Sequence, residues 1–242
     1  MKSLTLAAML TLGATTAQAQ ESVAPVVASQ ETPAVVAEPA PTVVAPVAVA
    51  ETPQCELHVW PAERFQAMTT GWLTGFGVVG AVADSAAHAD GDKARRSHLA
   101  AALDSEGQLN SLQELNLIQL LRLKPSRIVT HAEPLDRKTV NKIKTRRAQS
   151  NSPCYAELIV ADVFYQKAAI YGRSLKTLFM FREFGSAQKD PAIYKTWGGN
   201  GLKLFPPQEG ADVSAADAEL VSVFKRNFEE AAGNFSRQRN LK

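Results

Sequence analysis

The sequence predicts an α+β domain with helices packed on one face of an antiparallel sheet. Two apolar runs, 155–165 and 175–184, flank a polar connection that contains Gly172, a pattern typical of a β-hairpin. A segment near the end of the chain, 214–235, has apolar residues at helical spacing. We therefore expect the hairpin, about residues 155–184, at the centre of the sheet and the helices on one of its faces.

The first hairpin strand is apolar at almost every position. Strict alternation assigns three residues to one face, Leu158, Val160 and Phe164, and three to the other, Ile159, Val163 and Tyr165. This strand is therefore predicted to be covered on both faces.

The first nineteen residues, 1–19, have the organisation of a secretory signal peptide. Lys2 supplies the positive end, residues 4–12 form a short apolar core, and residues 17–19 resemble a cleavage site with small residues. The mature chain is predicted to begin at Gln20 in the periplasm or outside the cell. The first cysteine is Cys55, far beyond this cleavage site, so an N-terminal lipid anchor is not expected.

Residues 20–53 consist mostly of alanine, valine and proline, with six prolines and no leucine or aromatic residue. Such a segment has no side chains for a core, and its prolines disfavour helices and inner strands. It is predicted to be a disordered, polyproline-like linker, either a functional spacer or a tolerated tail. Residues 54–242 then form the single folded domain.

The domain has only a moderate excess of positive charge. One basic and four acidic residues precede Gln54, which leaves 25 basic and 20 acidic residues, a net charge of +5. This charge is compatible with an anionic envelope surface but is well below the density of a nucleic-acid-binding protein. Nucleic acid is therefore not an expected partner.

The two cysteines, Cys55 and Cys154, are predicted to form a disulfide because the chain is expected to be exported. Residues 55–60 alternate like a strand, so the two cysteines are expected at matching ends of neighbouring strands. The alternative, a pair of free or catalytic thiols, has no Cys-x-x-Cys spacing to favour it.

The segment 65–83 has no charged residue and contains four spaced glycines, Gly71, Gly75, Gly77 and Gly80. Glycines at this spacing favour close helix packing, so the segment is interpreted as a helix-packing or membrane segment, or as a loop leading into a buried helix. Residues 77–84, followed by the charged residues 92–96, resemble a pattern in uncharacterised exported or lipid-anchored envelope proteins of proteobacteria. That resemblance implies no activity.

Further elements are predicted along the rest of the domain. A helix at 94–103 is expected to end before Gly107, and a second is expected to begin with a capping box at Ser111 and to end at Pro125. Residues 127–130 are a strand candidate. Residues 186–212 are interpreted as loops, in which the glycine-rich stretch 197–201 makes a turn or an anion-binding concavity.

The strongest charge feature is a basic run of six residues, Arg137, Lys138, Lys142, Lys144, Arg146 and Arg147. It is interpreted either as a contact surface for lipopolysaccharide, anionic lipid or an acidic envelope protein, or as a solvated face.

Catalytic motifs are weak in this sequence, and no cofactor is expected. Asp84 and His88 are four residues apart and form a weak candidate metal pair. The leading interpretation is a non-catalytic binding or assembly protein of the envelope. The alternatives are a membrane-inserting or oligomerising protein that uses residues 65–83, and a hydrolase with an unrecognised site.

Overall fold

The computed structural model describes residues 54–71 and 77–240, except for the side chains of residues 77–80 and 137. All of these residues belong to one compact unit, Val49–Lys242. The strands and helices follow one another along the chain in this order: β1 Cys55–Trp60, β2 Phe65–Thr70, α1 Gly77–Ala102, α2 Ser105–Gln113, α3 Leu117–Leu120, β3 Ser126–Thr130, α4 Arg137–Val140, β4 Tyr155–Ala168, β5 Gly172–Gly185, β6 Ala192–Leu202 and α5 Val213–Asn240.

The described strands form one mixed sheet in the order β3-β1-β4-β5-β6. The pairs β4–β5 and β5–β6 are antiparallel, whereas β1 is parallel to both β3 and β4. Strand β2 is also parallel to β4 and pairs with its second half, along the edge where β1 pairs with its first half. The α+β class and the central hairpin are therefore confirmed, but the sheet is not purely antiparallel. The reason is that the helices between β2 and β3 carry the chain back to the end where β1 starts, as parallel pairing requires.

A β-bulge in β4 changes the predicted assignment of its two faces. Val160 lies opposite Phe179 and Asp162 opposite Leu178, so Ala161 is an extra residue in β4. Leu158 and Val160 therefore share the helix-covered face with Val163 and Tyr165, while Ile159 and Phe164 lie on the other face. The prediction from strict alternation was wrong beyond this point because a bulge reverses the pattern.

Helices α1, α2, α3 and α5 share the main core with one face of the sheet. The predicted apolar stripe of the last helix is confirmed, because Phe224 and Phe228 are fully buried and their rings lie 5.9 and 5.3 Å from that of Phe179 on β5. Burial of such aromatic side chains is a major source of folding free energy.

The helix starts predicted in the middle of the chain were displaced. Helix α1 begins at Gly77, well before residue 94, and α2 begins at Ser105. Asp104 is the N-cap of α2, and its carboxylate accepts the N–H of Gly107 at 2.7 Å. Gly107 therefore lies inside the first turn of α2, and Ser111 donates its hydroxyl to the Gly107 carbonyl instead of starting a helix.

The region predicted as loops, 186–212, contains strand β6. Gly198 in this strand is explained by the backbone of α5, which lies against it: a Cβ at Gly198 would be 1.9 Å from the carbonyl oxygen of Asn227. Residues 197–201 are thus neither a turn nor an isolated concavity.

The disulfide between Cys55 and Cys154 is present and closes a sequence separation of 99 residues. The two cysteines lie next to each other at the starts of parallel strands β1 and β4, as predicted, and the Glu56 N–H donates to the Cys154 carbonyl at 2.9 Å. The bond therefore links the starts of two neighbouring strands that are far apart in sequence.

Reduction of this disulfide should lower the free energy of unfolding by about 4 to 5 kcal/mol, because a long loop gains chain entropy when it is released. Urea unfolding with and without reductant measures the change, and the double variant Cys55→Ser/Cys154→Ser should reproduce it. Equal stability of the oxidised and reduced protein would contradict the prediction.

Candidate functional site

The sheet face opposite α5 has a covered half and an open half. Residues 131–153, including α4, lie over the covered half, where Val140 and Leu135 pack on Trp60, Ile159 and Met180. The open half is formed by β2, the second half of β4, and the parts of β5 and β6 beside it. This division determines where a ligand can reach the sheet.

A buried ion cluster lies beneath the covering segment. Glu157 and Arg182 are both fully buried, and their charged groups are 2.6 Å apart. The Nε of Arg147 lies 3.5 Å from the same carboxylate, and the Tyr155 hydroxyl donates to it at 3.1 Å. Burial and the negative charge of Glu157 together raise the pKa of the Tyr155 hydroxyl, so it remains a donor.

Arg146 holds the covering segment to the end of the hairpin. It is 9% exposed and donates to four backbone carbonyls, those of Ser150, Ser152, Gly185 and Ala187. Its guanidinium also lies 4.8 Å from the centre of the Tyr155 ring. The last two members of the predicted basic surface, Arg146 and Arg147, are therefore engaged inside the domain.

The remaining members of the basic run have a different environment. Lys138, Lys142 and Lys144 are exposed, while the side chain of Arg137 lies outside the described part of the structure. An anionic contact surface on this run would thus be formed by its lysines.

Lys142→Gln/Lys144→Gln should leave the melting temperature nearly unchanged, because exposed charges contribute little to folding. Arg146→Gln should instead lower the free energy of unfolding by at least about 2 kcal/mol, since buried carbonyls lose their charged donor. Thermal and urea unfolding of the variants test this contrast. A double lysine variant as unstable as Arg146→Gln would contradict it.

Three titratable side chains form a hydrogen-bonded relay beside the ion cluster. The Nε2 of His58 lies 3.1 Å from a carboxylate oxygen of Glu56, and its Nδ1 lies 2.9 Å from the Nε2 of His131. The His131 ring stacks on Trp60 with 4.1 Å between centroids. His131 and Trp60 also line a cavity of about 430 Å³ with Glu133 and Leu135.

The ionised Glu56 determines which tautomer of a neutral His58 fits this relay. Glu56 accepts a hydrogen bond from Arg127 at 2.6 Å and another from the Ser150 hydroxyl. Burial alone would raise the pKa of the Glu56 carboxyl, but Ser150, Arg127 and His58 outweigh it and lower this pKa from 4.5 to about 2. When His58 is neutral, its bond to an ionised Glu56 requires its single proton on Nε2, which leaves Nδ1 as an acceptor. In that state His131 carries its proton on Nε2 and donates it to His58, while the His131 Nδ1 is unprotonated.

The relay predicts a specific pH dependence. Burial and the neighbouring His58 lower the pKa of His131 below 6.5, so stability should decrease as pH falls below 6.5. NMR titration of the His131 ring should give a midpoint below that of the same residue in the urea-unfolded chain. A higher midpoint in the folded protein would contradict the assignment.

The relay was not visible in the sequence, where His58 and His131 had no evident partners. They are 73 residues apart and meet only because β1 and β3 are parallel neighbours. The alternation of Glu56, His58 and Trp60 on one face of a predicted strand was the only available signal.

The segment 65–83 does not form a single helix in the described residues. Residues 65–70 belong to β2, Gly75 lies outside the described residues, and Gly77 and Gly80 lie in the first turn of α1. No helix among residues 54–71 and 77–240 has the length and apolar character needed to cross a membrane.

Gly71 and the candidate metal pair, Asp84 and His88, lie at the contact between β2 and α1. Asp84 is 3% exposed and accepts the Gly71 N–H at 2.6 Å, while the His88 Nε2 lies 3.7 Å from its other oxygen. Asp92 similarly accepts the N–H and hydroxyl of Thr69. These carboxylates thus protect the outer edge of β2. Within the described ranges, no three metal-binding side chains form a cluster.

The open half of the sheet contains a groove of about 650 Å³ that we call the open-sheet groove. Its lining combines two aromatic rings with charged and amide groups and with glycines: Arg64, Gln66, Asp162, Phe164, Lys176, Trp197, Gly198, Gly199 and Glu230. Trp197 is 44% exposed, an unusual environment for tryptophan. The volume is in the range of small-molecule sites.

Comparison with known proteins adds no function. No family model matches the chain, and no curated protein matches it. One solved structure, described as that of an uncharacterized protein, shares 11% sequence identity over 76% of this chain and 98% of its own, with a TM-score of 0.25.

Proposed function

We propose that this chain is an exported, envelope-associated binding protein that holds its ligand in the open-sheet groove. The observation that carries the proposal is the groove itself, in which an exposed tryptophan lies beside polar groups on an uncovered sheet face. Proteins keep such surfaces for contact with a partner or ligand. The signal peptide pattern, the linker and the long-range disulfide support export.

The rigidity of the groove also favours binding. Most of its lining residues lie on four hydrogen-bonded strands, with Arg64 just before β2 and Glu230 on α5. The buried Asp162 accepts from Gln66 at 2.6 Å. Arg64 in turn donates to Gln66 at 2.8 Å. Side chains positioned in this way are ordered before the ligand arrives, which reduces the entropy cost of association.

A fragment screen monitored by NMR tests the proposal. Bound fragments should shift the indole signal of Trp197 and the backbone amides of Gly198 and Gly199, and Trp197→Ala should abolish the two amide shifts. Tyr171→Ala, which removes a 90% exposed ring at the β4–β5 turn, is the matched control and should change nothing. The proposal would be refuted if fragments bound equally well to other surfaces, or if no fragment bound in the groove.

Export has its own test. Mass spectrometry of the envelope fraction should detect a mature N-terminus near Gln20 and a peptide pair linked by Cys55 and Cys154. Recovery of the chain in the cytoplasm with Met1 retained would refute the envelope location.

A second candidate function, hydrolysis, is favoured by the Glu56–His58–His131 relay, because it leaves the His131 Nδ1 able to accept a proton. The test is hydrolysis of a panel of activated esters and phosphate esters. Activity that disappears in His131→Gln would support this function, and the absence of hydrolysis would reject it.

A further inference from the structure

The strand register places the groove side chains in two adjacent rows. Gln66, Phe164, Lys176 and Gly199 lie opposite one another across four strands, so they form one row. Asp162, Leu178 and Trp197 form the next row in the same way. Neighbouring strands are about 4.8 Å apart, so the first row spans about 14 Å, the width of one or two small rings.

The row containing Gly199 is open at one end because glycine has no side chain. Trp197 is the diagonal neighbour of Lys176 across β5 and β6, a spacing of about 7 to 8 Å that long and aromatic side chains can bridge. A Cβ at Gly199 would lie 3.4 Å from the Cγ of Lys176, so the lysine stem passes close to this glycine. The surface therefore offers a tryptophan ring and an ammonium group within reach of one ligand.

The charges around the groove are unequally engaged. Asp162 pairs with Gln66 and lies 4.0 Å from Arg64, and Glu230 accepts the Gly199 N–H at 2.9 Å. Among the described residues, no carboxylate lies within 4.0 Å of the Lys176 ammonium. Lys176 is thus the cation available to an anionic group of the ligand.

The same contacts disfavour an extended peptide at this edge. A peptide that extends a sheet needs free backbone N–H groups on the edge strand. At β6 the Gly199 N–H is already used by Glu230, and the Lys195 carbonyl accepts from Gln238. A ligand on the sheet face is favoured over one at the strand edge.

We propose that the open-sheet groove binds an acidic saccharide, with a sugar ring against Trp197 and its carboxylate on the ammonium of Lys176. Sugar rings combine apolar C–H faces, which suit aromatic rings, with hydroxyl groups, which suit exposed polar side chains of the lining such as Arg64 and Glu230. The carboxylate of the saccharide would pair with the ammonium of Lys176. This proposal rests on the proposed function, since it names the ligand class of the same groove.

The test compares tetragalacturonate with its methyl ester, which keeps the rings and removes the charges. NMR titration of the mature chain at low salt should show that the acid binds at least about tenfold more tightly than the ester, as a charge-assisted contact predicts. Lys176→Gln should remove this preference by weakening binding of the acid about tenfold more than binding of the ester. Trp197→Ala should weaken both ligands by about tenfold or more.

Lys203→Gln, an exposed lysine outside the groove lining, is the matched control and should leave both affinities unchanged. Chemical-shift changes in the unmodified chain locate the site independently of whether a variant folds. Equal binding of acid and ester, shifts that fall outside the groove, or no binding of either saccharide would overturn the ligand class. If neither saccharide binds while fragments still map to the groove, the proposed function stands; if fragments also fail there, both proposals fall.

Discussion

Gly198→Ala should destabilise the domain by about 3 kcal/mol or more, because the new methyl group would overlap the backbone of α5. Its Cβ would lie 1.9 Å from the Asn227 carbonyl oxygen and 2.5 Å from the carbonyl carbon. These atoms belong to a helix backbone and cannot rotate aside. Helix α5 would have to move away from β6 and lose part of its buried contact with the sheet.

The position of α5 is fixed by more than apolar packing. The Asn227 amide donates to the Leu175 carbonyl at 2.9 Å and to the Thr177 hydroxyl at 3.2 Å, and its oxygen accepts from Asn200 at 2.8 Å. Because Asn227 is fully buried, moving the helix would leave these groups without partners. The cost of the substitution therefore includes lost hydrogen bonds.

Gly199→Ala is the matched control for this prediction. Its Cβ would contact only the Cγ of Lys176 at 3.4 Å, a flexible side chain, so the change should stay below about 1 kcal/mol. Urea unfolding followed by circular dichroism compares the two variants. Similar stabilities would show that α5 does not press on Gly198.

Glu157→Gln should cost about 3 to 5 kcal/mol, the range observed when one partner of a buried ion pair is removed. The amide preserves the shape of the carboxylate but not its charge. Arg182 and Arg147, whose side chains are 1% and 4% exposed, would then remain as buried cations without an anion between them.

Glu183→Gln provides the comparison, since Glu183 pairs with Arg239 at 2.9 Å but is 30% exposed. Solvent weakens such a pair, and the loss should be below about 1 kcal/mol. In addition, the double variant Glu157→Gln/Arg182→Gln should be less destabilising than the sum of the two single variants. In each single variant one buried charge is left without its partner, whereas the double variant removes both charges. Strict additivity, or equal effects of Glu157→Gln and Glu183→Gln, would contradict the assigned roles.

The predictions from sequence succeeded where the signal was local. The hairpin, helix α5 and the disulfide follow from alternation, helical periodicity and cysteine number. Parallel pairing of β1 with β3 and β4 was missed because it depends on contacts between distant segments. Strand β6 was missed because its glycines are typical of turns, and the need for glycine at position 198 comes from α5, which is distant in sequence.

The candidate sites show the same limit. Arg146 and Lys144 look alike in a basic run, yet one binds four carbonyls inside the domain and the other is exposed. The open-sheet groove draws its residues from four strands, the residue before β2 and helix α5, so no contiguous motif contains it. Phe164, in particular, was expected to share a face with Leu158, and the bulge at Ala161 prevents this.

Because of that bulge, Ala161 determines which of the following β4 side chains face the core and which face the groove. Deleting Ala161 would shift the following part of β4 by one position, so Phe164 would turn into the core while Val163 and Tyr165 turned outward. The groove would lose its aromatic floor at the same moment as the core lost two buried side chains. Substitution of Phe164 therefore changes the groove alone, whereas an insertion or deletion in β4 changes the groove and the core together.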